Sequence, residues 1–336
     1  MRTLTPRSGF LLISLLLCRL LSSADEAQKL QQTASLFSKA AVGDLRSQNS
    51  TPFHLRLEIH TVHLGSKPFD GTYDEVWQSP TTWRRQISFP EFAQQEVGDS
   101  DGRWLARNLD FRPHSVYLLS RAVETSMPVP LQPDELVKKV SDRKKDGTGH
   151  CVEVKRGTSE KTLCFDSQGP LASWEDHNPF DDRRLRLEYM DFQKFGEKLY
   201  PREMHVYEHG EQVLDIKVVE LSKLPDTAPT HFDHVPSARL MAACESWEPG
   251  IPARKVPPQY PSEARRGQQQ GTVILYAALA ADGSVDKLTL LQSAGNALDD
   301  AATSAVKQWI YSPATCGTKP LPTEIEVHVN FTLSPR

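Results

Sequence analysis

The stretch GTVILYAALAADGSVDKLTLLQS, residues 271–293, decides how this chain is read. Residues 271–280 are an apolar run, and a second, apolar-alternating run extends to Ser293; both read as strands. Asp282-Gly283 between the two runs is hairpin-turn chemistry, because both residues tolerate the positive φ that a tight β turn demands. With that pair as a two-residue loop, Leu279 falls opposite Asp286, Ala277 opposite Leu288 and Leu275 opposite Leu290. One face of the hairpin is then apolar by register alone.

Working outward, Asn296 is an N-cap type with Asp299 three residues on, and Leu298, Ala301, Ala302, Ala305, Val306 and Trp309 recur at helical spacing. That amphipathic helix is suited to cover the apolar face. After Trp309-Ile310-Tyr311-Ser312-Pro313, the residues Ile325, Val327, Val329, Phe331 and Leu333 alternate with Glu324, Glu326, His328, Asn330 and Thr332, a third strand half-buried. Upstream, Pro257-Pro258-Gln259-Tyr260-Pro261 leads in, and a short helix precedes the first strand.

This order of elements, with Gln259-Tyr260-Pro261 at its start and Trp309-x-Tyr311-x-Pro313 after its helix, resembles the TonB C-terminal domain over residues 257–333. The resemblance implies a partner, an outer-membrane receptor or another cell-envelope protein, captured by β-strand addition along Thr323 to Leu333. It places Gln259, Tyr260 and Pro261 beside that strand and makes Ile325, Val327, Val329 and Phe331 part of the binding margin. The physics agrees, since an edge strand of a small sheet leaves backbone groups that an added peptide strand can satisfy. Shielding by a homodimer, by the first domain or by charge at Glu324 and Glu326 is the competing reading of the same edge. Transducers of this family commonly read Gln-Pro-Gln-Tyr-Pro; here the first position is Pro257, so no contact through a side-chain amide carries over.

Residues 1–24 place Arg2 and Arg7 before an apolar run from Phe10 to Cys18 and end Leu20-Leu21-Ser22-Ser23-Ala24. This pattern predicts a secretory signal cleaved after Ala24, hence a periplasmic protein. An inner-membrane anchor facing the periplasm is the alternative, although the run is short of the roughly 20 residues of a span and Arg19 interrupts it. Without those three arginines, 36 basic residues face 43 acidic ones, and the formal charge moves from −4 to −7. Such a balance gives no reason to expect nucleic acid as a partner. Beyond residue 24 four cysteines remain, an even count that favours two disulfides in an exported chain. With Gly157-Thr158 as a hairpin loop, Arg156 faces Ser159, Lys155 faces Glu160, and Cys151 faces Cys164. Cys244 and Cys316 pair by elimination.

The rest divides into a domain at 25–224, a Pro-rich linker at 225–256 and the terminal module at 257–336. Leu30, Ala34, Phe37 and Ala41 predict an amphipathic helix over Ala27 to Leu45. Period-two runs follow from Phe53, at Tyr73 to Trp77, at Trp83 to Phe89 and at Trp104 to Asn108. They resume at Cys151, Glu160, Leu171, Leu185, Arg202 and Gln212, with His209-Gly210 as the last hairpin turn. Helices are predicted from Pro113 to Val123, and from Pro133 with Leu136, Val137 and Val140 on the buried side. This layout resembles the LolA/LolB lipoprotein carriers. The resemblance implies an antiparallel incomplete barrel around helices, whose interior is either solid core or a cavity for acyl lipid or lipoprotein. The fold class is therefore α+β: an incomplete-barrel domain, then a small module of three antiparallel strands and two helices.

Catalysis has little to stand on. His60-x-x-His63 and His231-x-x-His234 lack a nearby third ligand, and the His60 pair falls on a strand, where i and i+3 point to opposite faces. No Gly-x-Ser-x-Gly, His-Glu-x-x-His or phosphate-cradling glycine loop occurs. The sequence is thus read as non-enzymatic, with neither cofactor nor metal: a periplasmic docking protein, with a lipid or lipoprotein carrier and a membrane-anchored energy transducer as the alternatives.

Overall fold

The computed structural model describes residues 26–333 except 48, 65–66, 127–130, 132–133, 144–148, 158, 179–182, 226–231, 242–246 and 249. The expected signal segment lies outside the described residues, as do Pro133, Thr158, His231 and Cys244. Helix α1 (residues 26–40) runs into a 3-10 turn at Ala41–Gly43. It buries Thr33, Leu36 and Ala40, whereas Leu30, Ala34 and Ala41, expected on the buried side, face solvent. Thr33 permits the shift: its hydroxyl donates to the Lys29 carbonyl at 2.7 Å, so the side chain enters the interior with its polar group satisfied.

Alternating sequence then produces β1 (Phe53–Thr61), β2 (Asp70–Ser79), β3 (Thr82–Phe89), β4 (Phe92–Asp99) and β5 (Gly102–Arg107). Helix α2 (His114–Thr125) starts behind Pro113. A second meander comprises β6 (Leu136–Asp142), β7 (His150–Arg156), β8 (Ser159–Phe165), β9 (Leu171–Asn178), β10 (Arg183–Phe195), β11 (Lys198–Glu208) and β12 (Glu211–Lys223). From the Pro-rich segment comes β13 (Arg239–Met241), which pairs with β5. The order is β13-β5-β4-β3-β2-β1-β12-β11-β10-β9-β8-β7-β6, with the two meanders joined where β12 pairs antiparallel with β1. Among the described residues β13 and β6 remain separate edges, so the barrel is incomplete, as expected.

The inward residues of β1, Phe53, Leu55, Leu57 and Ile59, lie in one buried cluster with Val116, Leu118, Leu119, Ala122 and Val123 of α2 and Leu36 and Ala40 of α1. Tyr189 donates its hydroxyl to the Ala122 carbonyl at 2.9 Å, and Phe37 meets Phe165 edge-on at 5.5 Å. Both helices thus fill one face of the sheet. The same interior holds a charge: Glu75 is fully buried between Arg46 and Arg85.

Residues 136–142 form an edge strand, not the predicted helix. A bulge between Val137 and Lys139 explains the misleading spacing, since the extra residue puts Val137 opposite Val154 and Val140 opposite Val152 on one face. Three residues apart and on the same side, they imitate a helical pair. Strand β4 escaped notice because Gln94, Gln95 and Glu96 interrupt its apolar alternation.

The C-terminal portion adds β14 (Trp247–Glu248), β15 (Pro252–Arg254), α3 (Ser262–Arg266), β16 (Gly271–Leu279), β17 (Val285–Gln292), α4 (Asn296–Val306), β18 (Ile310–Tyr311), β19 (Ala314–Cys316), β20 (Lys319–Leu321) and β21 (Thr323–Phe331). Its main sheet has the order β17-β16-β21. Leu275 pairs with Leu290 and Ala277 with Leu288 as the register predicts, but Leu279 meets Val285 instead of Asp286. The loop is one residue longer than expected: Gly283 N donates to the Ala280 carbonyl at 2.9 Å and Gly283 takes φ 83°, a turn closed by a glycine bulge. The N-cap of α4 is Gly295, not Asn296. Asp299 instead ties down the approach, accepting from Ala294 N at 2.9 Å and Ser293 Oγ at 2.5 Å.

The Cys151–Cys164 disulfide forms in the predicted register, with a Cα–Cα distance of 4.0 Å. Cys316 is also disulfide-bonded, and its expected partner, Cys244, lies outside the described residues.

Candidate functional site: the last strand and the seam behind it

Strand β21 pairs antiparallel with β16 from Gly271↔Phe331 to Leu279↔Thr323. Among the described residues no strand pairs on its other side. Its two faces have different cover. Val327, Val329 and Phe331 enter the module's core with Val273, Leu275, Leu298, Ala302 and Trp309. Ile325 packs at the margin of that core. The opposite face, with Glu324, Glu326, His328 and the neighbouring Tyr276, is turned to the first domain.

That seam is polar and specific. Arg107 at the end of β5 donates to Glu324 at 2.9 Å; Tyr276 donates to the Asp110 carbonyl at 3.4 Å and lies 6.2 Å from Phe111; Lys287 pairs with Asp110. At its centre His114, the first residue of α2, bridges two carboxylates: Nδ1 to Glu326 Oε1 and Nε2 to Glu208 Oε2, both at 2.7 Å. His328 Nε2 also reaches Glu326 Oε1, at 2.9 Å. Burial would lower the imidazolium pKa of His114, but the Glu326 and Glu208 carboxylates outweigh it and push the value up to about 10. Against the same burial penalty, His114 holds Glu326 and Glu208 below the usual carboxylate range.

The expected margin residues are distributed unevenly. Gln259 is exposed. Tyr260 is half-buried, edge-on to Phe331 at 5.5 Å, and its hydroxyl donates to the Gln269 carbonyl, with the Arg265 guanidinium 5.4 Å from the ring centre. Pro261 is the N-cap of α3. The leading segment is thereby stapled to the end of β21, and what Val327, Val329 and Phe331 leave at the edge is main chain. Trp309 and Tyr311 are buried, and Trp309 Nε1 donates to the Val256 carbonyl at 2.8 Å. Of the histidine pairs, His60 contacts Asp70, His63 the Gln212 carbonyl, and His234 stacks on Trp104 at 3.9 Å.

His114, Glu208, Glu326 and His328 were not singled out from the sequence. Glu326 and His328 look like the solvent side of a half-buried strand, and nothing local to His114 or Glu208 connects them to it. The one available signal was a histidine and two glutamates alternating along the last strand.

Residues 256–333 match the family described as Gram-negative bacterial TonB protein C-terminal. Within curated proteins, Protein TonB of Vibrio cholerae serotype O1 is 37% identical over 87 residues, covering 26% of this chain and 36% of that protein. Protein tonB2 of Pseudomonas aeruginosa is 38% identical over 78 residues, covering 23% of this chain and 29% of its own length. The chain therefore spans about a third of the curated relatives it matches. Solved structures similar to the first domain include an outer-membrane lipoprotein-sorting protein domain from Vibrio parahaemolyticus, at 10% identity and TM-score 0.39, covering 59% of this chain and 95% of that one. A LolA superfamily protein from Nitrosomonas europaea matches at 13% identity and TM-score 0.38, covering 58% and 94%. Among the described residues no helix is long and apolar enough to cross a membrane.

Proposed function

We propose that this protein docks on a cell-envelope partner in the periplasm, by adding a strand of that partner to the outer side of β21. The observation that carries the reading is the three-stranded sheet order β17-β16-β21, which puts the last strand at an edge, together with the TonB-type match over the same residues. Main-chain pairing supplies affinity in such recognition, and side-chain pockets supply selectivity. Exposed Gln259, with Tyr260 and Pro261 at the end of β21, supplies the adjoining side-chain surface. The partner class is an outer-membrane receptor presenting an extended segment, or another envelope protein with one. Carriage of acyl lipid has less support, because side chains of α1 and α2 share one buried cluster with the inward residues of the large sheet.

An NMR titration of the full chain with an extended receptor-box peptide tests this. Amides of 323–331 are expected to shift, and the same peptide N-methylated at alternate residues is expected to lose binding. Peptide binding that leaves those amides unmoved would defeat the proposal.

A further inference from the structure

Four side chains from three separated segments meet at the seam: His114 of α2, Glu208 at the end of β11, and Glu326 and His328 of β21. All are nearly withdrawn from solvent, with side-chain exposures of 7%, 9%, 3% and 1%. Among the described residues neither carboxylate has a Lys or Arg partner. Three polar atoms, Glu208 Oε1, Glu326 Oε2 and His328 Nδ1, are also buried without a hydrogen-bond partner. A group that is merely structural is seldom left this way, since an unsatisfied buried polar atom costs about 1–3 kcal/mol and more when charged.

We propose that this cluster binds a divalent transition-metal ion of zinc's class through His114 Nδ1, Glu326 and His328 Nε2, clipping the terminal module to the first domain. Imidazole and carboxylate are the donors such ions prefer, and two histidines with one glutamate leave a fourth position for water. Donor atoms of His114, Glu326 and His328 all lie within 4.8 Å of one another. Bonds of about 2.0–2.2 Å set donors around one ion roughly 3.3 Å apart, close to the 2.7 and 2.9 Å contacts of Glu326 Oε1, so small side-chain movements suffice. Glu208 then has the place of the carboxylate that accepts the second N–H of a ligating histidine, selecting its tautomer. A divalent cation also offsets the charge of the two buried carboxylates. Because the ligands come from both parts of the chain, the ion holds β21 by one face and leaves its outer side untouched. This inference does not depend on the docking reading.

Calorimetric titration of the full chain, stripped with a chelator and then given zinc alone, is the test. One equivalent is expected to bind and to raise the melting temperature. H328Q is expected to abolish the stoichiometric step, and E208Q to keep the stoichiometry while weakening affinity about 10–100-fold. Absence of stoichiometric binding by the wild type, or undiminished binding in folded H328Q, overturns the proposal. Should H328Q fail to fold, cobalt(II) on the wild type decides: intense absorption of a four-coordinate site supports the proposal, and the pale spectrum of a hydrated octahedral ion overturns it.

Discussion

Glu75 occupies an inward position of β2 between Tyr73 and Trp77, where alternation calls for an apolar side chain. It lies directly opposite Arg85 on β3, which lies opposite Glu96 on β4, and Arg46 and Arg103 close the two ends of this charged row. Burial would raise the Glu75 pKa, but Arg46 and Arg85 bring it down to about 2. Breaking one partner of a buried ion pair strands the others, so Glu75→Gln is expected to cost about 3–5 kcal/mol, read from urea unfolding. Because the folded value is below the unfolded 4.5, the contribution of Glu75 is complete above pH 4.5 and is lost as pH falls toward 2. Melting temperatures over that range are expected to fall for the wild type and less steeply for the variant; parallel slopes would contradict the assignment. The acid was visible in the sequence, but not its partners. Arg46 is 29 residues away, and Arg85 faces it only through strand register.

At the level of elements, the β16–β17 hairpin shows what a turn can demand of one residue. Gly283 has φ 83°, and a Cβ placed there would stand 1.9 Å from the Tyr311 carbonyl oxygen. Tyr311 N in turn donates to the Gly283 carbonyl at 3.0 Å, so the turn is the anchor of β18. Gly283→Ala is expected to cost at least about 1–3 kcal/mol from backbone strain and to strip exchange protection from the Tyr311 amide. An unchanged unfolding midpoint would show that the turn relaxes freely. Asp282-Gly283 announced the turn in sequence, yet the loop length was set by the glycine bulge. At β6, conversely, a bulge made strand residues 137 and 140 mimic helical spacing. Local pattern gives the period only where no residue is inserted.

For the molecule as a whole, the consequential feature is that the module's sheet packs its own helices on one face and meets the first domain, along β16 and β21, on the other. Tyr276 lies in that second interface, buried beside Phe111 and Asp110. Tyr276→Ala is expected to cost about 3–5 kcal/mol and to lower exchange protection in the first turn of α2 and in β21 together. Loss confined to β21 would mean that the two parts are not coupled through the seam. The sequence by itself determined the two strands of the hairpin, the terminal strand, the buried side of Trp309 and the Cys151–Cys164 register, because each follows from periodicity or turn chemistry among near neighbours. Only the tertiary structure decided that Glu326 and His328 face His114 and Glu208 instead of water. Those contacts join residues 94 to 212 positions apart, and no local pattern encodes which surface packs against the polar side of a strand.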